Sequence, residues 1–185
     1  MSDDILTISN IADSFRHSVS TQEYGKRPSI EGVRLIDLRM INDDSGSFLE
    51  IVRLNQSGFL EALPQFQVRQ TSYSLVLPGA IKAFHLHFRQ DDVWFVPPSD
   101  RLLVGLIDVR DGSPTNALTH RLSLGGGKAQ LLFIPRGVGH GVANLGAAPG
   151  AVFYFVNQQF NIEDPDERRL PHDCAGEDFW SIQSG

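Results

Sequence analysis

Apolar side chains in this chain recur mostly at every second position, in short runs broken by Gly, Pro, Asn and Asp. Period-two runs of that length read as strands with one buried face. The pattern predicts strands at Val33–Met40, Phe48–Leu54, Phe66–Leu75, Ile81–Phe88, Val93–Val96, Leu102–Arg110, Leu118–Leu124, Gln130–Ile134 and Val152–Phe160. Turn signals fall every ~8–12 residues and no long helical pattern alternates with the strands, which points to a sandwich or barrel. Helix is expected only in short pieces. Ile8–Ser18 has a weak helical pattern, and Ser57–Leu63 fits one or two turns. Asp164-Pro165-Asp166-Glu167 reads as an N-cap, a Pro at the first helical position and an acidic first turn. Residues 1–30 lack strong periodicity and read as an N-terminal arm, followed by a single domain over 31–185. Gly125-Gly126-Gly127-Lys128 lacks the spacing of a phosphate-binding loop and lies between two strand-like runs, so it predicts a hairpin turn.

Composition narrows the function classes. The chain has 185 residues, 41% hydrophobic and 21% charged, which is ordinary for one folded domain. A net charge of −6 argues against a nucleic-acid protein and against a polybasic membrane anchor. No apolar run approaches the ~20 residues of a membrane span. Cys174 is the single cysteine, which excludes an intrachain disulfide framework and a Cys-rich zinc module. With no basic-then-apolar leader in MSDDILTISN, a cytoplasmic location is expected.

The candidate chemistry is concentrated in two segments. In Gly79-Ala-Ile-Lys-Ala-Phe-His-Leu-His-Phe-Arg-Gln-Asp-Asp92, alternation places His85 and His87 on one strand face and Phe84, Leu86 and Phe88 on the other. The same parity places Lys82 opposite His85 unless a bulge intervenes. In Ile134-Pro-Arg-Gly-Val-Gly-His140-Gly141, a Pro and Gly turn delivers a third imidazole. Any one of these could be a core histidine. Three in these contexts predict a shared polar cavity.

Gly79, His85, His87 and Asp91 resemble the first cupin motif, with Asp where Glu is usual, and Pro135, Gly137, His140 and Asn144 resemble the second. The resemblance implies an all-β cupin double-stranded β-helix, a jelly-roll barrel with few short helices. Over most of its length the chain also resembles the dTDP-4-dehydrorhamnose 3,5-epimerase family. The matching segments, in order, are Gly32-Val33, Asp43–Glu50, Gln70-Thr-Ser-Tyr-Ser74, Lys82-Ala-Phe-His85, Asp108–Thr115, Ile134–Gly141 and Glu167-Arg168 with Asp173. These epimerases are metal-free cupins acting on nucleotide-linked 4-keto sugars. The resemblance therefore implies a sugar-nucleotide substrate, no cofactor, and a homodimer formed by exchange of N-terminal strands.

Inverting a carbon beside a ketone needs a base for the α-proton, an acid on the opposite face and stabilisation of the enolate between them. The resemblance assigns the base to His85, the acid that orients it to Asp173, and the proton donor to Tyr154. That placement of Tyr154 takes one extra residue in the 146–150 hairpin; without it Phe153 would stand there. Lys82, Gln70, Ser74, Glu50, Arg110 and His140 are implied on the substrate side. The chain departs from the family in five places. Its lysine after the histidine strand has no match, that stretch being occupied by Asp92 and its neighbours. Ser45, Ser72 and Lys82 replace an Arg, an Asn and an Arg. His87 stands where the epimerases carry Gln. Two alternatives stay open on these residues. One is a metal-dependent cupin enzyme, a dioxygenase or isomerase, with His85, His87, Asp91 and His140 as ligands. The other is a sugar-binding cupin without catalysis.

Overall fold

A computed structural model describes residues 5–22 and 29–183. In the arm, a 3₁₀ turn (Ile8–Asn10) and α1 (Asp13–Arg16) bury no side chain. Residues 1–4 and 23–28 of the expected arm lie outside the described residues. Fourteen strands follow: β1 (Arg34–Asp37), β2 (Met40–Asp43), β3 (Gly46–Leu49), β4 (Phe59–Leu60), β5 (Leu63–Gln67), β6 (Gln70–Val76) and β7 (Ile81–Leu86), then β8 (Asp92–Phe95), β9 (Arg101–Asp108), β10 (Thr119–Gly125), β11 (Gln130–Ile134), β12 (Val138–Ala143), β13 (Gly150–Val156) and β14 (Arg168–Arg169).

Ten of them form two antiparallel five-stranded sheets, ordered β1-β11-β8-β13-β6 and β10-β9-β12-β7-β14. This is the all-β jelly-roll sandwich of the cupins. Trp94, Val104, Leu106, Leu132, Ile134 and Val152 are among the buried side chains of the core where the sheets meet. Each sheet is also covered on its outer face. The hairpin β4–β5 packs Leu60, Leu63 and Phe66 onto Val93, Phe95, Leu131 and Phe155 of the first sheet. Phe179 and Trp180 of the C-terminal segment pack onto Phe84 and Ala143 of the second. Central strands buried on both sides lose clean alternation, which is why all four residues of β8 are buried. Among the described residues no helix is long and apolar enough to cross a membrane.

Several expected elements change for identifiable reasons. The run Val33–Met40 is β1 only as far as Asp37; Leu38 N–H makes one last bond along that ladder to Ala129 O (2.8 Å), and the chain then turns into the β2–β3 hairpin. Phe66–Leu75 is two strands, β5 and β6. Ser57–Leu63 is not helical: Asn55 Oδ1 accepts the Ser57 and Phe59 N–H groups (2.9 and 3.0 Å), Gly58 takes φ +79°, and the β4–β5 hairpin follows. Asp164–Glu167 is not a helix start either. The Asp166 carboxylate accepts the backbone N–H groups of Phe88, Arg89 and Gln90 (2.7–3.1 Å), and the chain goes on to pair with β7 as β14. Gly125–Lys128 is a turn, but it joins β10 to β11 across the two sheets and so is not a hairpin.

Strand β12 was hidden by its glycines, which read as a turn. Gly141 is required there by close approach, since a Cβ would lie 2.3 Å from the Ala83 Cβ and 2.7 Å from Lys82 O.

Candidate active site

Between the sheets lies an open cavity of about 890 Å³, walled on one side by β7 and β12 and on the other by β6, β8 and β13. That size suits a ligand larger than a simple monosaccharide. One irregularity shapes it. Along β7 and β12, His85 faces His140 but Lys82 faces Val142, so β7 spends three residues where β12 spends two. The extra residue is a bulge, and it reverses the parity expected from regular alternation. Lys82 and His85 therefore both border the cavity. The Lys82 ammonium donates to Ser74 Oγ (2.7 Å) and Leu75 O (2.9 Å) across the gap between sheets.

His85 sits at the centre of a polar cluster. Arg169 Nη1 donates to its Nε2 (2.8 Å), so the ring proton resides on Nδ1, which faces Glu167 Oε1 at 3.2 Å. Glu167 in turn pairs with Arg169 Nη2 at 2.5 Å. β14 supplies this arrangement by placing Arg169 opposite His85 in register. Burial, then the neighbouring His140 and Arg169, push the His85 pKa down to about 4. Its ring is stacked on that of His140, with centroids 6.1 Å apart. His140 is buried, and burial lowers its pKa against the opposing charge of Asp92. On the opposite wall, β13 presents Tyr154 to the cavity, while Phe153 and Phe155 of the same strand pack on the outer cluster. Burial raises the Tyr154 pKa, aided by Asp92 and Glu167, so the phenol keeps its proton at neutral pH.

The expected site residues divide into two groups. His85, His87, His140, Lys82, Gln70, Ser74 and Tyr154 border the cavity. Asp173, Glu50, Arg110 and Asp91 do not. Asp173 is exposed in the turn before Gly176; the carboxylate beside His85 belongs to Glu167 instead. Glu50 is exposed and pairs with Arg53 (2.8 Å). Arg110 is bound to the fully buried Asp108 through Nε–Oδ1 (2.8 Å) and Nη2–Oδ2 (2.9 Å) and also donates to Glu31 O (2.6 Å). Asp91 is taken up by Arg136 (2.9 and 3.0 Å) and Asn157 (2.9 Å) outside the cavity. The ligand set His85, His87, Asp91 and His140 is therefore not assembled. The carboxylate that meets His87 and His140 is Asp92.

Glu167, Arg169 and Asp92 were missed as site residues. Asp92 had a usable signal, because period two from Trp94 points it inward once β8 is started there. Arg169 had none, since its position depends on β14 pairing with a strand more than eighty residues earlier.

The comparisons with known proteins agree with this architecture. The family model for dTDP-4-dehydrorhamnose 3,5-epimerase matches residues 27–175. The spore coat polysaccharide biosynthesis protein SpsL of Bacillus subtilis is 40% identical over 78% of this chain and 91% of its own. A probable low-salt glycan biosynthesis epimerase, Agl13 of Haloferax volcanii, is 30% identical over 79% and 90%. The crystal structure of a dTDP sugar isomerase from Desulfovibrio desulfuricans superposes with a TM-score of 0.67 at 31% identity, covering 78% of this chain and 87% of that one. By sequence and by fold, this chain belongs to the dTDP-4-dehydrorhamnose 3,5-epimerase family.

Proposed function

We propose that this protein epimerises a nucleotide-linked 4-keto-6-deoxy sugar at C3, C5 or both. One observation carries the reading: a neutral imidazole and a protonated phenol stand on opposite sheets with the cavity between them. Inversion needs that geometry, because the proton leaves one face of the ring and returns to the other.

In this reading His85 removes the α-proton. The electron pair moves into the C–C bond and the ketone oxygen becomes an enolate. Glu167 holds the His85 tautomer and faces the imidazolium that forms, the role a buried carboxylate plays behind a catalytic histidine. Tyr154 then protonates the carbon from the far side. Arg169 caps the lone pair of His85 Nε2. The substrate must displace that guanidinium before proton transfer, which leaves a cation free beside the substrate. Lys82 from one wall and Gln70 and Ser74 from the other border the part of the cavity where an anionic nucleotide would be held.

The chain is further proposed to work as a homodimer. β6 is the edge of its sheet, and Tyr73, Leu75 and the following Leu77 are exposed there, a surface suited to an exchanged strand. Light scattering at increasing concentration tests this.

The decisive experiment is incubation with a dTDP-4-keto-6-deoxyhexose in deuterated water. Deuterium at C3 or C5, with formation of the epimer, is expected. Tight binding of the sugar nucleotide with no exchange would instead make the protein a binder.

A further inference from the structure

His87 and His140 share a feature that the epimerase reading leaves unused. Each ring engages a backbone carbonyl through Nδ1, His87 with Asp166 O and His140 with Val138 O (2.9 Å). Both protons are thereby placed on Nδ1, and both Nε2 lone pairs are left over. Among the described residues neither Nε2 takes part in a hydrogen bond; that of His140 meets Asp92 Oδ2 at 3.7 Å. Asp92 is 3% exposed, His140 3% and His87 8%. Asp92 receives Trp94 Nε1–H on Oδ2 (3.0 Å) and Gln90 Nε2–H on Oδ1 (2.8 Å), and no lysine or arginine among the described residues pairs with it. A buried carboxylate with only neutral donors, facing two unused imidazole lone pairs that border the cavity, has an unmet need for positive charge.

We propose that His87, Asp92 and His140 hold a divalent first-row metal ion, with open coordination positions toward the cavity. The three donor atoms already lie within 4.8 Å of one another. Ligands ~2.0–2.2 Å from such an ion stand roughly 3.0–3.6 Å apart, so closure needs side-chain shifts of about 1 Å or less. Two imidazoles and one carboxylate suit Fe, Mn, Co or Zn with substrate positions free. The backbone carbonyls behind both rings and the Trp94 and Gln90 donors behind Asp92 are the outer support that oriented metal ligands require. This runs against the expectation of a cofactor-free site. His85 is not a ligand: its Nε2 is occupied by Arg169 and its Nδ1 by Glu167.

What the ion would do rests on the epimerase reading. An enolate forming beside an uncompensated Asp92 would meet like charge. With the cation in place, the ketone oxygen is coordinated, and the negative charge left when His85 takes the α-proton is neutralised at that oxygen. The proton then returns to carbon from Tyr154, and no oxidant or reductant is needed.

The test uses the full chain, stripped with a chelator and titrated with Co²⁺. Visible d–d absorption saturating at about one equivalent is expected. His87→Gln and Asp92→Asn should each weaken Co²⁺ binding by roughly tenfold to a hundredfold or more, whereas His85→Ala should leave the spectrum unchanged. Circular dichroism melts verify that each variant is folded, and His87→Gln serves should Asp92→Asn fail to fold. The proposal is overturned if folded wild type shows no saturable absorption, if both ligand variants bind like wild type, or if His85→Ala abolishes binding. Deuterium exchange in the same stripped samples separates the two readings. Exchange at full rate without metal removes the ion from the mechanism and leaves the epimerase standing. Saturable binding with no exchange, with or without Co²⁺, removes the epimerase and leaves the ion.

Discussion

The sandwich buries two aspartates, and their surroundings could hardly differ more. Asp108, at the end of β9, meets Arg110 in a two-point ion pair and accepts hydroxyl hydrogen bonds from Ser113 (2.6 Å) and Thr115 (2.7 Å) and the Arg110 N–H (3.1 Å). Every lone pair is used, and Arg110 and Thr115 continue to the backbone of Glu31, clamping the entry of the chain into the domain. Asp92 has neutral donors and two imidazoles beyond hydrogen-bond reach. The lesson is that burial of charge alone does not mark function. The Asp108 cluster is closed and holds the fold together; the Asp92 cluster keeps unused valence directed at a cavity. The same contrast explains why Arg110, expected at the substrate, is absent from it.

Substitutions can break or sharpen this contrast. His85→Ala should have the largest effect on chemistry, about 10²–10⁴-fold on deuterium exchange with little change in melting. Tyr154→Phe should slow epimer formation by a comparable factor at most while residual proton abstraction persists, because only the donor is lost. Wild-type turnover in that variant would remove Tyr154 from the mechanism.

The closed cluster should behave in the opposite way. Asp108→Ala strands a quarter-exposed guanidinium and two hydroxyls, and should cost about 3 kcal/mol in denaturant unfolding. Substrate affinity of the variant that remains folded should be near that of wild type, and a selective loss of binding would show that Arg110 reaches the substrate after all. Gly141→Ala should cost about 1–3 kcal/mol, since the new methyl collides with the β7 bulge. It should also depress exchange, because the bulge is what brings Lys82 and His85 to one face.

The smallest effects are in pH. The His85 pKa is held near 4, so its base form, and the exchange rate, should persist well below pH 6.5 and decline only toward pH 4. A limb near 6.5 would mean a solvated ring. The unfolded chain binds a proton at His85 near pH 6.5, before the folded chain does. Stability should therefore fall as pH drops from about 6.5 toward 4, and His140 shifts in the same direction. Asp108 is held well below the usual carboxylate range by Arg110. Its contribution is present above about pH 4 and is lost only in stronger acid. Chemical denaturation across pH 3–8 should resolve the two regimes.

Much of this molecule was legible in its residues. Period-two patterning located nearly every main-sheet strand, and β11 matched residue for residue. The histidine spacing pointed to a shared cavity, and the one-residue gap that the resemblance needs in the 146–150 hairpin selects Tyr154, which borders that cavity, over Phe153, which does not. The failures share a cause. β12 was lost because its glycines answer to Ala83 on a neighbouring strand. Parity alone could not say on which face Lys82 lies, because that depends on a bulge against β12. Asp173 was expected behind His85, but Glu167 arrives there through β14, and Asp91 was chosen over Asp92 because both fit the spacing.

The chain by itself determined its local periodicities: which runs are strands, which residues can titrate, which turns need glycine. These depend on neighbours within a few residues, and so they are written in order along the backbone. Which carboxylate backs His85, which one joins His87 and His140, and which arginine serves structure were decided only when distant strands paired. Those outcomes depend on register and burial between segments far apart in sequence, and a single residue of slip exchanges the two faces of a strand.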